Sequence, residues 1–262
     1  MSSYKLIQIS DTHIFSDPDG TMFGVNSRRS LEQVLAHATR HHAIDCLLAT
    51  GDLIHDDSPD AYRRLKELLA ALDAPVYCLP GNHDDPALMQ QILNGPLVTC
   101  RKSIVLGAWK ILLLDTHVVS SDGGRLSPGE LDFLERELAN NATLHVVVAL
   151  HHPPVRIGSP WMDAMGLANT KEFFEVLDRY PKVRGVLFGH IHQVFEQRRG
   201  NMQLLSAPST SAQFMPATEV HMDDPVPPGY RWVTLHPDGS FDTGIDRIEV
   251  LMADAGSRSA GI

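Results

Sequence analysis

Cysteine is scarce in this chain, and the three present, Cys46, Cys78 and Cys100, make an odd number. An odd count excludes a fully paired disulfide framework. Cys46 and Cys78 also sit inside apolar runs, where a reduced thiol packs as a small hydrophobe. A reducing cytoplasm is therefore the expected setting. No stretch approaches the ~20 consecutive apolar residues that a membrane helix needs, and the opening residues lead into a short apolar strand without a signal-peptide core. Neither membrane attachment nor export is expected. Positive charge is in short supply too: 22 Lys and Arg face 32 Asp and Glu, a formal net charge of −10. That balance argues against a protein that wraps nucleic acid by bulk electrostatics. An anionic substrate would have to meet a local positive site. Internal repeats and low-complexity linkers are absent as well.

What is present is an α/β rhythm. Apolar runs at Lys5 to Ser10, Asp45 to Ala49, Val76 to Leu79, Ser103 to Leu106, Lys110 to Leu114, His145 to Leu150 and Val183 to Phe188 read as strands. Several are apolar throughout, as strands buried on both faces should be. Between them lie helical patterns at Ser30 to His42 and Tyr62 to Leu72. In the first, Leu31, Val34, Leu35 and Ala38 share one face, and Ser30 with Gln33 is spaced for a capping box. Ser127-Pro128-Gly129-Glu130 announces another helix, with Leu131, Leu134 and Leu138 on its apolar face. From about residue 193 the texture turns β-rich, with strands expected at Val194 to Gln197, Met202 to Leu205, Tyr230 to Leu235 and Phe241 to Val250. The last two are joined through Asp238-Gly239, a hairpin pair. The expected organisation is one domain over residues 1–253, followed by a flexible tail over 254–262.

Metal-type residues stand immediately after five of these strands. They are Asp11-Thr12-His13, Gly51-Asp52, Gly81-Asn82-His83-Asp84, His151-His152-Pro153-Pro154 and Gly189-His190-Ile191-His192. Ligands of α/β sheets bind at strand C-termini, so the five clusters should converge on one edge. Any one alone is more often a turn or a surface histidine; five in order are not. Carboxylates, an amide oxygen and neutral imidazoles suit divalent Fe, Mn, Zn or Co. The expected assignment gives Asp11, His13 and His192 to one ion and Asn82, His151 and His190 to the other, with Asp52 bridging. Two divalent cations against two aspartates leave two positive charges, one matched by a bridging hydroxide and one by a monoanionic phosphodiester. Paired ions lower the pKa of water and clamp attacking and leaving oxygens at phosphorus. His83 is the expected catalytic partner beside Asp52, and His83, Asn82 and His192 are the expected substrate contacts. His55 and His117 could lie at the rim, His151 is preferred to His152 as ligand, and His37, His41, His42, His145, His221 and His236 read as solvated or structural.

The ordered series of motifs resembles the calcineurin-like metallophosphoesterase superfamily over most of the chain. With Pro59-Asp60-Ala61-Tyr62-Arg63, Leu114-Asp115-Thr116 and Gly124-Arg125-Leu126-Ser127, it is similar to the class III cyclic-nucleotide phosphodiesterases. Trp161-Met162-Asp163 to Asn169, Ala207-Pro208-Ser209-Thr210 and Gln213-Phe214 resemble their bacterial 3′,5′-cyclic-AMP branch. One departure, Leu53-Ile54-His55 after Gly51-Asp52, leaves the bridging position intact. The resemblance implies an αββα sandwich with helices outside two facing mixed sheets, and a dinuclear centre often holding iron or manganese. It also implies hydrolysis of 3′,5′-cyclic AMP to 5′-AMP by the bridging hydroxide. Broader action on glycerophosphodiesters or 2′,3′-cyclic nucleotides is the alternative, and a metal-free scaffold the more distant one. Further substrate contacts are implied at Trp161, Asn169 and Ser209-Thr210, with plain packing equally open for the tryptophan. The implied partner is a small phosphodiester rather than nucleic acid or membrane, and a homodimer stays open.

Overall fold

A computed structural model describes residues 2–248. The expected end of the last strand at Val250 and the tail at 254–262 lie outside the described residues. In chain order the first half comprises β1 (Tyr4–Ile9), β2 (Thr21–Met22), β3 (Val25–Asn26), α1 (Ser27–His41), β4 (Cys46–Thr50), α2 (Pro59–Ala70), β5 (Val76–Leu79), α3 (Pro86–Leu93), β6 (Val98–Thr99), β7 (Ser103–Leu106) and β8 (Trp109–Leu113). The second half comprises α4 (Pro128–Ala139), β9 (His145–Ala149), α5 (Pro160–Asp163), α6 (Thr170–Leu177), β10 (Val183–Phe188), β11 (Glu196–Arg199), β12 (Met202–Ser206), β13 (Gln213–Phe214), β14 (Asp223–Asp224), β15 (Gly229–Leu235) and β16 (Phe241–Arg247).

Two six-stranded sheets face each other, ordered β16-β15-β1-β4-β5-β6 and β11-β12-β10-β9-β8-β7. Each is mixed. The strands from β1 to β6 run parallel while β15 and β16 are antiparallel, and the second sheet has antiparallel strands at both edges. The period-2 alternation of side chains sorts the apolar residues into three layers. Leu6, Leu48, Ile111, Leu113, Val147 and Leu187 point between the sheets. Their neighbours Ile7, Leu47 and Ala49 turn the other way, under α1, α2 and α3. Leu112, Val146, Val148 and Phe188 turn under α4 and α6. The result is the αββα sandwich. Strands with no polar face read as continuous apolar runs because both of their faces are covered.

Helix α1 starts earlier than the capping-box reading of Ser30 and Gln33 requires. Asn26 is the N-cap and accepts from the Arg29 amide at 2.9 Å, while the Ser30 hydroxyl donates to the Thr210 carbonyl at 2.6 Å. A buried tertiary partner has taken the hydroxyl that local spacing assigned to a cap. Helix α2 likewise starts at Pro59, behind the Ser58 cap. Ser127 caps α4 as expected, accepting from the Glu130 amide. The Glu130 carboxylate does not close the box, because it accepts from the Asp115 amide and pairs with Lys102. Asp238-Gly239 turns β15 into β16, with Gly239 at φ 87°. All three cysteines are buried and free, as the apolar surroundings of Cys46 and Cys78 predicted for those two. Among the described residues no helix is long and apolar enough to cross a membrane.

Trp109 anchors the layer between the sheets. It is fully buried, and its indole N–H donates to the His236 carbonyl at 2.7 Å, so neither its bulk nor its polar atom is left unmatched. Trp109→Ala is expected to cost about 3–5 kcal/mol of stability. Denaturant unfolding should show this as a lower midpoint at unchanged slope.

Candidate metal centre

The C-terminal ends of β1, β4 and β5 in one sheet and of β9 and β10 in the other point to the same edge of the sandwich. Beyond β1 and β4 the chains keep pairing: the Asp11 amide donates to the Gly51 carbonyl and the His13 amide to the Asp52 carbonyl, both at 3.0 Å. Asp11, His13, Asp52, His190 and His192 have φ of 54°, 43°, 49°, 72° and 49°. Residues other than glycine seldom occupy that region, and each costs on the order of 1 kcal/mol or more. The surrounding bonds hold five such residues in one place, and the bends turn their side chains onto a common centre. Gly51 is required beside them. At φ 92°, a Cβ there would lie 2.4 Å from His151 Nδ1.

Donor atoms of Asp11, His13, Asp52 and His192 all fall within 4.8 Å of one another, and those of His151, His152 and His190 form a second such group. Asp52 touches both groups: one oxygen lies 3.8 Å from His13 Nε2 and the other 3.3 Å from His151 Nε2. His13 Nε2 faces His192 Nε2 at 3.1 Å, and His190 Nδ1 faces His151 Nε2 at 3.3 Å. His151 donates from Nδ1 to the Thr50 carbonyl and His192 from Nδ1 to the Ala212 carbonyl, each at 2.8 Å. Those bonds leave the Nε2 atoms bare and aimed inward. Asn82 Oδ1 and His190 Nε2 are buried without any hydrogen-bond partner. Orphaned buried acceptors cost free energy unless something satisfies them. Lone pairs converging from two carboxylates, an amide and four imidazoles are what a pair of divalent cations requires, so the residues fit the ions.

The charges agree. Burial drives His13 and His190 well below the usual imidazole range and takes His192 down to about 4. All three are thus held as neutral imidazoles, the form that ligates metal. Burial pushes Asp11 up to about 7, opposed by His151 and reinforced by the Asp52 carboxylate. Burial acts on Asp52 the same way, yet the adjoining His151 and His13 hold it well below the carboxylate range. His151 is drawn up to about 9: burial opposes this, but the Asp52 charge and hydrogen bond prevail. Without cations, one carboxylate–imidazolium pair carries the cluster.

Supporting residues fix the ligands. His152 is saturated, donating from Nε2 to the Asp122 carbonyl at 3.2 Å and accepting at Nδ1 from the Thr116 hydroxyl at 2.7 Å. Its ring lies 4.7 Å from that of His190. Asp84 is buried and accepts from the Gly81 and Leu53 amides and from the Tyr62 hydroxyl, tying the Asn82 loop to the Asp52 loop. The His83 amide donates to Asp52 at 3.0 Å, and its ring stacks near His55 with centroids 5.4 Å apart. His13, Asp52, His55, Asn82, His83 and His192 line a cavity of about 280 Å³. His55 therefore sits at the site, whereas His117 does not line that cavity.

Three implied substrate contacts are placed differently. Asn169 is buried and exchanges two hydrogen bonds with the Leu126 backbone, so its amide is tied within the fold. Ser209 donates to the Asp11 carbonyl at 2.8 Å, and the Thr210 amide donates to the Ser10 carbonyl, so both brace the metal-site loops from behind. Neither faces the cavity. Trp161 does line it, together with Phe23 and Phe214. Phe23 carried no signal in the sequence, because it sits in a turn between two-residue strands. His221, read as solvated or structural, packs among these three aromatic rings.

Two carboxylates, an amide oxygen and four imidazoles at the strand ends of an αββα sandwich define a protein built to hold two divalent cations side by side. The chain belongs to the calcineurin-like phosphoesterase family, whose model matches residues 4–194. It is 38% identical over 261 residues to a protein of Pseudomonas aeruginosa named 3′,5′-cyclic adenosine monophosphate phosphodiesterase CpdA, covering 99% of this chain and 96% of that one. The Escherichia coli protein of the same name is 38% identical over 246 residues, covering 93% and 90%. A 3′,5′-cyclic-nucleotide phosphodiesterase of Nostoc is 39% identical over 248 residues, covering 93% and 92%. Among solved structures, a dimetal phosphatase from Danio rerio superposes with a TM-score of 0.65 at 14% identity, covering 88% of this chain and 95% of that one. A purple acid phosphatase from yellow lupin gives 0.67 at 14% identity, covering 94% and 52%. These two show a shared fold.

Elemental analysis of the purified protein is expected to find two divalent ions per chain. In Asp52→Asn, which removes a charge facing both donor groups, it should find one or fewer in a protein that still folds. Tyr62→Phe, which removes the hydroxyl that donates to Asp84 and accepts from the Asp85 amide, should keep both ions and lose about 1–3 kcal/mol of stability.

Proposed function

We propose that the chain hydrolyses 3′,5′-cyclic AMP to 5′-AMP, with Asp11, His13 and His192 holding one ion, Asn82, His151 and His190 the other, and Asp52 between them. The observation that carries this reading is a cavity in which converging metal-site donors and His83 share one wall space. The full-length relatives named for cyclic-nucleotide hydrolysis supply the substrate class. Paired cations held by these residues would supply Lewis-acid charge beside phosphorus and lower the pKa of a water toward neutrality. The new bond joins a water oxygen to phosphorus, the P–O3′ bond breaks, and a proton reaches the departing 3′-oxygen. His83 is placed to donate that proton or to hold a phosphoryl oxygen, since its backbone is pinned to Asp52 and its ring borders the cavity. Asn82 and His192, which border the same cavity, complete the contacts to the phosphate.

The donor set suits divalent Fe, Mn, Zn or Co, and the family likeness favours Fe or Mn among them. We place the activity in one domain spanning the described residues. Three buried free thiols fit a reducing cytoplasm. The net charge of −10 argues against nucleic acid as partner and leaves a small phosphodiester met at the cation site, and sedimentation would settle whether the chain pairs with a second copy.

Strong chelation is expected to abolish turnover, and added Mn²⁺ or Fe²⁺ to restore it. His83→Ala should keep both ions while kcat falls on the order of 100-fold or more. Loss of metal in that variant would make His83 a ligand instead. Side-by-side turnover tests the substrate: 3′,5′-cyclic AMP should exceed 2′,3′-cyclic AMP and glycerophosphodiesters in kcat/KM, and equal or better use of glycerophosphodiesters would overturn the assignment.

A further inference from the structure

A site that only gripped a phosphodiester would need no apolar wall, yet this cavity has one. Besides the metal-site groups, it is lined by Phe23, Trp161 and Phe214, with Met22, Met162 and Met165 filling in between. Phe214 lies flat against the ring of His192, with centroids 4.0 Å apart and planes within 6°, so the wall begins at the metal centre. Trp161 meets Phe214 edge to face at 5.5 Å, and its indole N–H donates to the Thr218 hydroxyl at 3.2 Å, which fixes the ring. His221 packs within 4.7 to 5.3 Å of Phe23, Phe214 and Trp161 and joins the three into one body.

Phe23 is the member that packing explains least. It occupies the turn between β2 and β3 at φ 47°, a conformation that a bulky residue rarely adopts. It remains 55% exposed. A large ring held in strained backbone at a cavity mouth, with much of its surface uncovered, is arranged for something that arrives later. A cyclic nucleotide offers two chemically distinct ends, an anionic phosphate and a flat base with apolar faces. The phosphate belongs with the cations. The base would then lie along the aromatic arc that starts at His192.

We propose that Phe23 and Trp161, backed by Phe214 and His221, form a stacking platform for the nucleobase and so select cyclic nucleotides over base-free diesters. This rests on the hydrolytic reading above. Phe23 and Trp161 are specificity-determining residues in that account, since they contact the base and leave the reacting bond to the metal-site groups. Stacking platforms recognise π-faces in preference to base edges, which suits a wall with no amide among its three rings.

The test compares 3′,5′-cyclic AMP with 1-O-methylribose 3′,5′-cyclic phosphate, which has the same ring phosphate and no base, on metal-loaded protein of verified metal content. Phe23→Ala is expected to lower the ratio of kcat/KM for the two by about 5- to 150-fold, the span of base–aromatic stacking, mainly through KM for cyclic AMP. Trp161→Leu should act in the same direction, and Phe23→Tyr should restore the ratio. A second measurement separates the two readings: calorimetric binding of both compounds to metal-loaded His83→Ala, where turnover is suppressed. Equal affinity for the two, or a ratio unmoved in both Phe23→Ala and Trp161→Leu, overturns the platform while hydrolysis of cyclic AMP stands. Absence of cyclic AMP turnover by the loaded wild-type protein overturns the hydrolytic reading and the platform with it.

Discussion

The molecule is organised around a crowding of buried donor atoms that bound cations would relieve. Imidazole nitrogens face one another at 3.1 and 3.3 Å, with two carboxylates between them and an orphaned amide oxygen alongside, all removed from water. Such a set of lone pairs is unfavourable by itself, because neither solvent nor enough protons are available to satisfy it. The fold pays for holding it in place with five left-handed backbones, and the surrounding loops are pinned to one another by amide–carbonyl pairs and by the buried Asp84. Two divalent ions held there would satisfy the converging lone pairs and so offset the cost of gathering them.

The division of labour between core and site follows. Three apolar layers set the two sheets and the helices, and none of them includes a metal-site donor. The donors come from the residues just past the strand ends, where the chain leaves the sheet and has conformational freedom to bend. This is why the chemistry was legible in the sequence. Each cluster follows an apolar run, and residues such as Gly51-Asp52 or Gly189-His190 mark the point of exit. Most strands were legible too, because strands covered on both faces leave long apolar signatures, whereas their grouping into two facing sheets came from the resemblance alone.

What was not legible depended on tertiary partners or on very short elements. Ser30 looked like a cap by spacing, but its hydroxyl found the Thr210 carbonyl across the fold. Asn169 and Ser209 looked like substrate contacts by resemblance, and they are braces whose hydrogen bonds are spent on the backbone. Helix α6 lacks a side-chain cap hydrogen bond and so announced no start. Helix α3 did carry a start signal, since Asp85 caps it and Pro86 opens it, but eight residues gave little periodicity to read. The β2–β3 hairpin has two-residue strands, too short for any alternation, and Phe23 was invisible with it.

The seven donors are divided between the sheets: Asp11, His13, Asp52 and Asn82 follow strands of one, and His151, His190 and His192 follow strands of the other. Ions held by both sets would work as a clasp across the seam of the sandwich, joining layers that also meet through apolar contact, hydrogen bonds such as that from Gln8 to the Phe188 carbonyl, and the Arg231–Glu196 ion pair. Ligands that bind the folded chain alone raise its stability by mass action. Metal loading would in this way couple the cohesion of the two halves to the chemistry of the site.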